Sequence, residues 1–277
     1  MDYSPKKMQS NLKEHQFRFK KNYGQNFIVD ANIIQKIVSS SDIDDKTMVL
    51  EIGPGAGSLT VGLCESAKNV LCYEIDTSLE NVLEEQLKPY SNVEVVYEDF
   101  LKANVREKMK EYSFEKLYVI GNLPYYITTP IIMKVIEEKL PVDKIVVMVQ
   151  KEVGDRLKAV SGTRDYGSLT VFLNYYFDVR KLLDVSRNVF LPKPNVDSIV
   201  VELKRKENDI LLKDETFFFQ LVKDSFKQKR KTIRNNLKAY DLSQIESLLK
   251  EKGYDLSVRA EQLLLEVFVH IANGYQK

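Results

Sequence analysis

Asn122-Leu123-Pro124-Tyr125 is a stretch whose residue types, in that order, suit chemistry on a planar amine. The Asn122 side-chain carbonyl can accept from an amine N–H. Pro124 brings no backbone hydrogen, and its ring narrows the local conformations, so the loop can hold main-chain carbonyls, its own among them, toward a substrate. Tyr125 presents a flat ring on which a nucleobase can stack. An exocyclic amino group held by two acceptors and sandwiched by aromatic rings fits such a set. Four letters alone fit a proline turn with a capping Asn equally well, and the surrounding chain separates the two readings.

A second group of residues points to a nucleoside. Glu51-Ile52-Gly53-Pro54-Gly55-Ala56-Gly57 follows an apolar run, and glycines at a strand end let a ligand approach the backbone closely. A dinucleotide fingerprint needs glycine or alanine at the sixth position from Gly53, where this chain has Ser58, and no Lys-Ser or Lys-Thr pair closes a phosphate loop. The expected ligand is a nucleoside without a pyrophosphate. Glu74 ends the next apolar run, at a place where an acid can accept both ribose hydroxyls. Asp99, after a third run, can accept from an adenine amine. Each acid alone reads as a helix cap or a surface charge. Gly, Glu and Asp at three successive strand ends face one crevice, and together they indicate S-adenosylmethionine. Phe190, ahead of Leu191-Pro192-Lys193-Pro194, is either a buried anchor of its loop or, beside Tyr125, the second ring of a clamp on a base taken out of its stack.

The frame that positions these residues is legible as period. Strands are expected near 47–52, 69–75, 92–98, 116–121 and 143–150, with helices between them at about 58–67, 78–88, 104–111 and 129–138, after an earlier helix from Asp30. Thr77-Ser78-Leu79-Glu80 has the form of a capping box. Helices near 150–160 and 168–176 precede two strands, 178–185 and 197–204, whose connection is too short for a parallel crossover and predicts an antiparallel hairpin. The alternation predicts an α/β fold: a seven-stranded, mostly parallel sheet with one antiparallel strand near an edge. The charged stretch 204–209 separates this domain, 1–206, from an all-helical one, 207–277, with helices at about 214–227, 229–238, 243–252 and 260–273.

Composition bounds the rest. A chain of 277 residues with 44% hydrophobic and 29% charged residues suits one large globular domain plus a small appendage. No apolar run approaches the ~20 residues that span a membrane, and the charged start is no secretory signal. Cys64 and Cys72 read as reduced core thiols of a cytoplasmic protein. With only His15 and His270, neither a metal site nor a His-based triad is expected. Net charge is +1, so affinity for a polyanion must come from clusters. Residues 1–20 form a basic arm, read as a solvated tail over 1–12 or as a segment that orders on a polyanion. The run Lys227 to Lys238 holds six basic residues and no acid, with Phe226, Ile233 and Leu237 as an apolar stripe. Lys227, Arg230, Lys231, Arg234 and Lys238 recur at spacings of three and four. On a helix they share one face, suited to an RNA backbone.

The motifs taken together resemble the bacterial small-subunit (16S) ribosomal RNA adenine dimethyltransferases, the dimethylases whose loss gives kasugamycin resistance. The resemblance rests on Tyr23-Gly24-Gln25-Asn26-Phe27, the Glu51 to Gly57 loop, Asn122 to Pro130, Gln150-Lys151-Glu152-Val153, Phe190 to Pro194, Arg230 to Leu237 and Arg259 to Leu263. It implies a Rossmann-like methyltransferase sheet, with S-adenosylmethionine along Asn26, Ile28, Gly53, Glu74, Asp99 and Asn122. It also implies double methylation, on the exocyclic nitrogen, of two adjacent adenosines near the 3′ end of small-subunit rRNA in an assembly intermediate. The expected protein is a cytoplasmic monomer without metal or membrane partner. Large-subunit methylases of the macrolide-resistance type share the fold and the Gln-Asn-Phe motif and are the alternative. A non-catalytic RNA-binding assembly factor is a further one.

Overall fold

The computed structural model describes residues 5–20, 23–124, 127–206 and 211–276. The chain starts with α1 (Pro5–Glu14), a two-residue strand β1 (Phe27–Ile28) and α2 (Ala31–Ser40). The Asp30 side chain starts α2 by accepting from the N–H groups of Asn32 and Ile33. Strands and helices then alternate: β2 (Thr47–Ile52), α3 (Ser58–Cys64), β3 (Asn69–Tyr73), α4 (Glu80–Leu87), β4 (Val93–Val96), α5 (Val105–Met109), β5 (Lys116–Asn122), α6 (Thr128–Glu137) and β6 (Lys144–Gln150). Next come α7 (Lys151–Leu157), α8 (Ser168–Tyr176), β7 (Phe177–Val185), β8 (Phe190–Leu191) and β9 (Ser198–Arg205).

Seven strands form one sheet in the order β4-β3-β2-β5-β6-β9-β7. The pairs from β4 through β6 are parallel, and β9 lies antiparallel on β6 with Met148 opposite Val200. All of β2 and nearly all of β5 and β6 are buried. That is why they read as continuous apolar runs rather than alternating ones. β2 has β3 on one side and β5 on the other, so the chain leaves it in opposite directions. The carboxyl ends at such a switch point open a crevice. A separate two-stranded ladder pairs β1 with β8, Phe27 opposite Leu191 and Ile28 opposite Phe190. Among the described residues no helix is long and apolar enough to cross a membrane.

The chain divides into two compact units, and the division differs from a cut at residue 206. One unit holds the residues up to Gly154 together with Arg180–Arg205. The other holds Asp155–Val179 and the residues from Lys206 on. The physical reason is aromatic packing: Phe172 and Tyr175 of α8 meet Phe218 and Phe219 of α9 (Glu215–Ser225) in edge-to-face and tilted pairs, with ring centroids 4.6–6.0 Å apart. The second unit continues with α10 (Ile233–Asn236), α11 (Leu242–Lys250) and α12 (Leu265–Gly274).

Three local expectations are corrected. Residues 5–14 are not a solvated tail, because α1 buries Met8 and Leu12, one turn apart, in the core of the first unit. The start of α4 is set by Asp76, whose side chain accepts from Ser78 N–H, ahead of a single tight turn over Thr77–Leu79. The basic run is not a helix over 229–238, since α10 has only four residues. Its Ile233 and Arg234 N–H groups go to the carbonyls of Val258 and Leu256, and the Asn236 side chain ties the preceding turn through Ser225 O and Gln228 N–H.

Candidate active site

The carboxyl ends of β2, β3, β4 and β5 open into one cavity, over which the segment Tyr23–Ile28 is laid. Asn26, Ile28, Gly53, Gly55, Glu74, Asp99, Asn122 and Pro124 all line it. Tyr125, with Tyr126, lies outside the described residues. Phe190 does not line the cavity.

The glycine loop serves two purposes. Gly53 has φ +71°, and a Cβ there would meet nothing within 4 Å, so the backbone is bare toward the cavity. Gly55 (φ +59°) is required instead by the protein, since its Cβ would stand 2.8 Å from the Phe27 ring. Its N–H donates to Glu74 Oε2 at 3.1 Å, while Glu74 Oε1 accepts from Asp76 N–H at 2.8 Å. Glu74 is 5% exposed, and burial pushes its carboxyl up to about 7 against the pull of those two backbone donors. Ile75 beside it is 48% exposed, an apolar face left at the cavity wall. Asp99 accepts from Leu101 N–H at 3.0 Å, and exposed Lys102 stands 3.7 Å from its other oxygen.

Asn122 ends β5, and its Nδ2 donates to the main-chain carbonyl of Asn26 at 2.7 Å. That bond fixes the amide, since the opposite orientation would set two oxygens against each other, and it leaves Oδ1 as an acceptor. Asn26 is itself held, its Nδ2 donating to Gly24 O at 2.9 Å. Two expectations fail here. The Pro124 carbonyl is not a free second acceptor, because it takes Ile127 N–H at 3.1 Å and the Thr128 hydroxyl at 3.4 Å in the turn that starts α6. Phe190 is not an available stacking face, because it is 4% exposed and packed in the core cluster opposite Ile28.

The lining also includes residues to which the sequence reading gave no role of their own. Glu51 is 1% exposed, accepts from Cys72 Sγ at 3.5 Å, and is pushed up to about 7 by burial. One acid in the apolar run Met48–Ile52 was the available signal. Gln25, Ile75, Phe100 and Leu101 line the cavity too.

In the second unit, Lys227, Arg230, Lys231, Arg234 and Lys238 are all exposed, and none forms an ion pair with a described residue. Ile233 and Leu237 are fully buried beneath them. Although the helical face is absent, a turn followed by a short helix still presents one sign of charge. Lys229 adds to it, its ammonium donating to the Arg164 carbonyl.

Residues 16–277 match the family described as ribosomal RNA adenine dimethylase. The chain is 45% identical over 283 residues to the ribosomal RNA small subunit methyltransferase A of Geobacillus sp. (strain WCH70), an alignment covering 99% of this chain and 97% of that protein. It is 46% identical to the protein of the same name from Staphylococcus carnosus (strain TM300), covering 99% and 96%. Among solved structures it is similar to a dimethyladenosine transferase from Plasmodium falciparum, with TM-score 0.75, 26% identity and coverage of 88% and 95%. It is also similar to the 23S rRNA methyltransferase ErmE, with TM-score 0.66, 28% identity and coverage of 88% and 97%.

Proposed function

This chain belongs to the ribosomal RNA adenine dimethylase family, and we propose on that premise that it is an S-adenosylmethionine-dependent dimethyltransferase of small-subunit rRNA. Its substrates are the exocyclic amino groups of two adjacent adenosines near the 3′ end, methylated during ribosome assembly. The observation that carries the reading is the Asn122 amide, locked by Asn26 so that its oxygen is left to accept beside the cavity that holds Glu74.

The residues present fit the cofactor. Bare backbone at Gly53 admits close approach of a ligand, and the buried Glu74 carboxylate retains acceptor capacity for ribose hydroxyls. Asp99 accepts from the cofactor's adenine amine, and Ile75, Phe100 and Leu101 supply apolar walls for its ring. When bound, S-adenosylmethionine supplies a methyl group made electrophilic by a positively charged sulfur. The protein's task is to position the nucleophile and exclude water. The substrate amine is a poor nucleophile because its lone pair is delocalised into the purine. Asn122 Oδ1 accepts one N–H and turns the amine so that the lone pair faces the methyl. The proton lost after attack is acidic and needs no strong base. His15 and His270 do not line the cavity. The exposed cations from Lys227 to Lys238 hold the RNA backbone.

Identity of 45–46% over nearly the whole chain to proteins named ribosomal RNA small subunit methyltransferase A supports the small subunit as substrate. Transfer of labelled methyl groups to unmethylated small-subunit particles, with large-subunit RNA alongside, tests it. Label confined to large-subunit RNA would favour the macrolide-resistance reading, and no transfer would leave an RNA-binding assembly factor.

A further inference from the structure

Asp76 has a set of partners that a helix cap alone does not require. It is 1% exposed, and its two oxygens are divided between different segments. Oδ1 accepts from the Lys20 ammonium at 2.6 Å and from the Ser78 hydroxyl and N–H at 2.6 and 3.1 Å. Oδ2 accepts from Gln25 Nε2 at 2.7 Å, and Gln25 Oε1 accepts from Lys20 N–H at 2.7 Å. The Asp76 N–H donates to Glu74 Oε1. One residue after Gln25 stands the Asn26 carbonyl that orients Asn122.

We infer that Asp76 is a positioning residue for methyl transfer: it clamps Gln25 and Lys20 so that the Asn26 carbonyl holds the Asn122 amide in register with Glu74. The inference rests on the reading of Asn122 as the acceptor for the substrate amine. Asp76 does not line the cavity and acts on neither substrate nor cofactor directly. Its effect travels through the Gln25 bond and one peptide unit. Although burial pushes the Asp76 carboxyl up, hydrogen bonds from Lys20, Ser78 and Gln25 prevail and hold it below its ordinary value, so the clamp is charged at neutral pH.

The bond polarity supplies the test. In Asp76→Asn, an oxygen kept toward Lys20 and Ser78 leaves the new NH2 against Gln25 Nε2, two donors face to face. Turning Gln25 over moves its own NH2 onto Lys20 N–H, so one mismatch always remains. Gln25→Glu sets two carboxylates against each other. The pair Gln25→Glu with Asp76→Asn restores every donor to an acceptor. Gln25 is only half-buried, so its single variant tests the same bond should Asp76→Asn not fold.

The readout is the single-turnover rate of methyl transfer to unmethylated small-subunit particles at saturating cofactor, with S-adenosylhomocysteine binding as the check of folding. Each single variant is expected to lose about tenfold or more, the scale for displacing an aligned group, and the double variant to recover to within about twofold of wild type. In an Asn122→Ala background the Asp76→Asn change should cost less than about twofold, because the group it positions is gone. Unchanged rates in the single variants, an unrescued double variant, or a full loss persisting in Asn122→Ala would each overturn the inference while leaving the role of Asn122 standing. A normal rate in Asn122→Ala itself would instead overturn the reading on which the inference rests.

Discussion

Glu74→Gln tests the ribose contact through its pH dependence. The wild-type carboxyl is 5% exposed and pushed up to about 7, above its ordinary value of 4.5. Ribose hydroxyls donate to a carboxylate, so the ionised form binds best. Cofactor affinity should therefore reach a plateau by about pH 8 and fall as the site takes up a proton. At pH 6 only about one site in eleven carries the charge, so affinity drops roughly tenfold, and it drops about tenfold more at pH 5. Binding at pH 6 should release close to one proton per site, measurable by calorimetry in two buffers of different ionisation enthalpy. Glu74→Gln removes the titration and a charge-assisted acceptor together. At pH 8 it should bind S-adenosylhomocysteine more weakly by about 3 kcal/mol, the upper end for a hydrogen bond to a charged group, with the pH dependence between 5 and 7 gone. The ligand's own groups titrate against both proteins alike and cancel in the comparison. Equal pH profiles for wild type and variant would refute the assignment of Glu74 to the ribose.

Three further perturbations separate the parts of the site. Asn122→Ala should leave cofactor affinity within roughly tenfold and cut single-turnover methylation by on the order of a hundredfold, the scale for losing one positioned polar group. Glu51→Gln should stabilise the protein at pH 8 by roughly 1–3 kcal/mol and hardly at all at pH 4, read from urea midpoints. The sign follows from the Glu51 carboxyl, pushed up to about 7 from 4.5: the folded state keeps a proton that the unfolded chain releases, so stability falls as pH rises from about 4.5 to about 7. Changing Lys227, Arg230, Lys231 and Arg234 together to Gln should leave folding and cofactor binding intact, since all four are exposed without described ion partners. The log–log salt slope of binding to small-subunit particles should flatten by about two to three units. An unchanged slope would make that run a solvated face and turn attention to the basic residues of the N-terminal segment.

What the sequence revealed follows from how much signal each element leaves. β2, β5 and β6 are buried on both faces and stand out as apolar runs, and the residues at the strand ends then fall into one crevice through topology alone. α1 left little trace, because Met8 and Leu12 carry its burial among polar neighbours. β1 and β8 are two residues each, too short to show a period. The basic run imitates helical spacing, yet tertiary carbonyls at Leu256 and Val258 and the Asn236 side chain capture its backbone. Pro124 and Phe190 show the same limit at the site. Residue type announces what a group can do, and only the neighbours reveal that the Pro124 carbonyl is already bonded and the Phe190 ring already buried. The clamp from Lys20 and Gln25 to Asp76 joins residues more than fifty positions apart and has no local signature.

The most direct test is incubation of the protein with labelled S-adenosylmethionine and small-subunit particles that lack the modification, followed by nuclease digestion and mass analysis of the 3′-terminal fragment. The expected result is four methyl groups per particle, as two adjacent dimethyladenosines, with large-subunit RNA in the same mixture unlabelled. Label in large-subunit RNA, or none in a particle that the protein demonstrably binds, would contradict it.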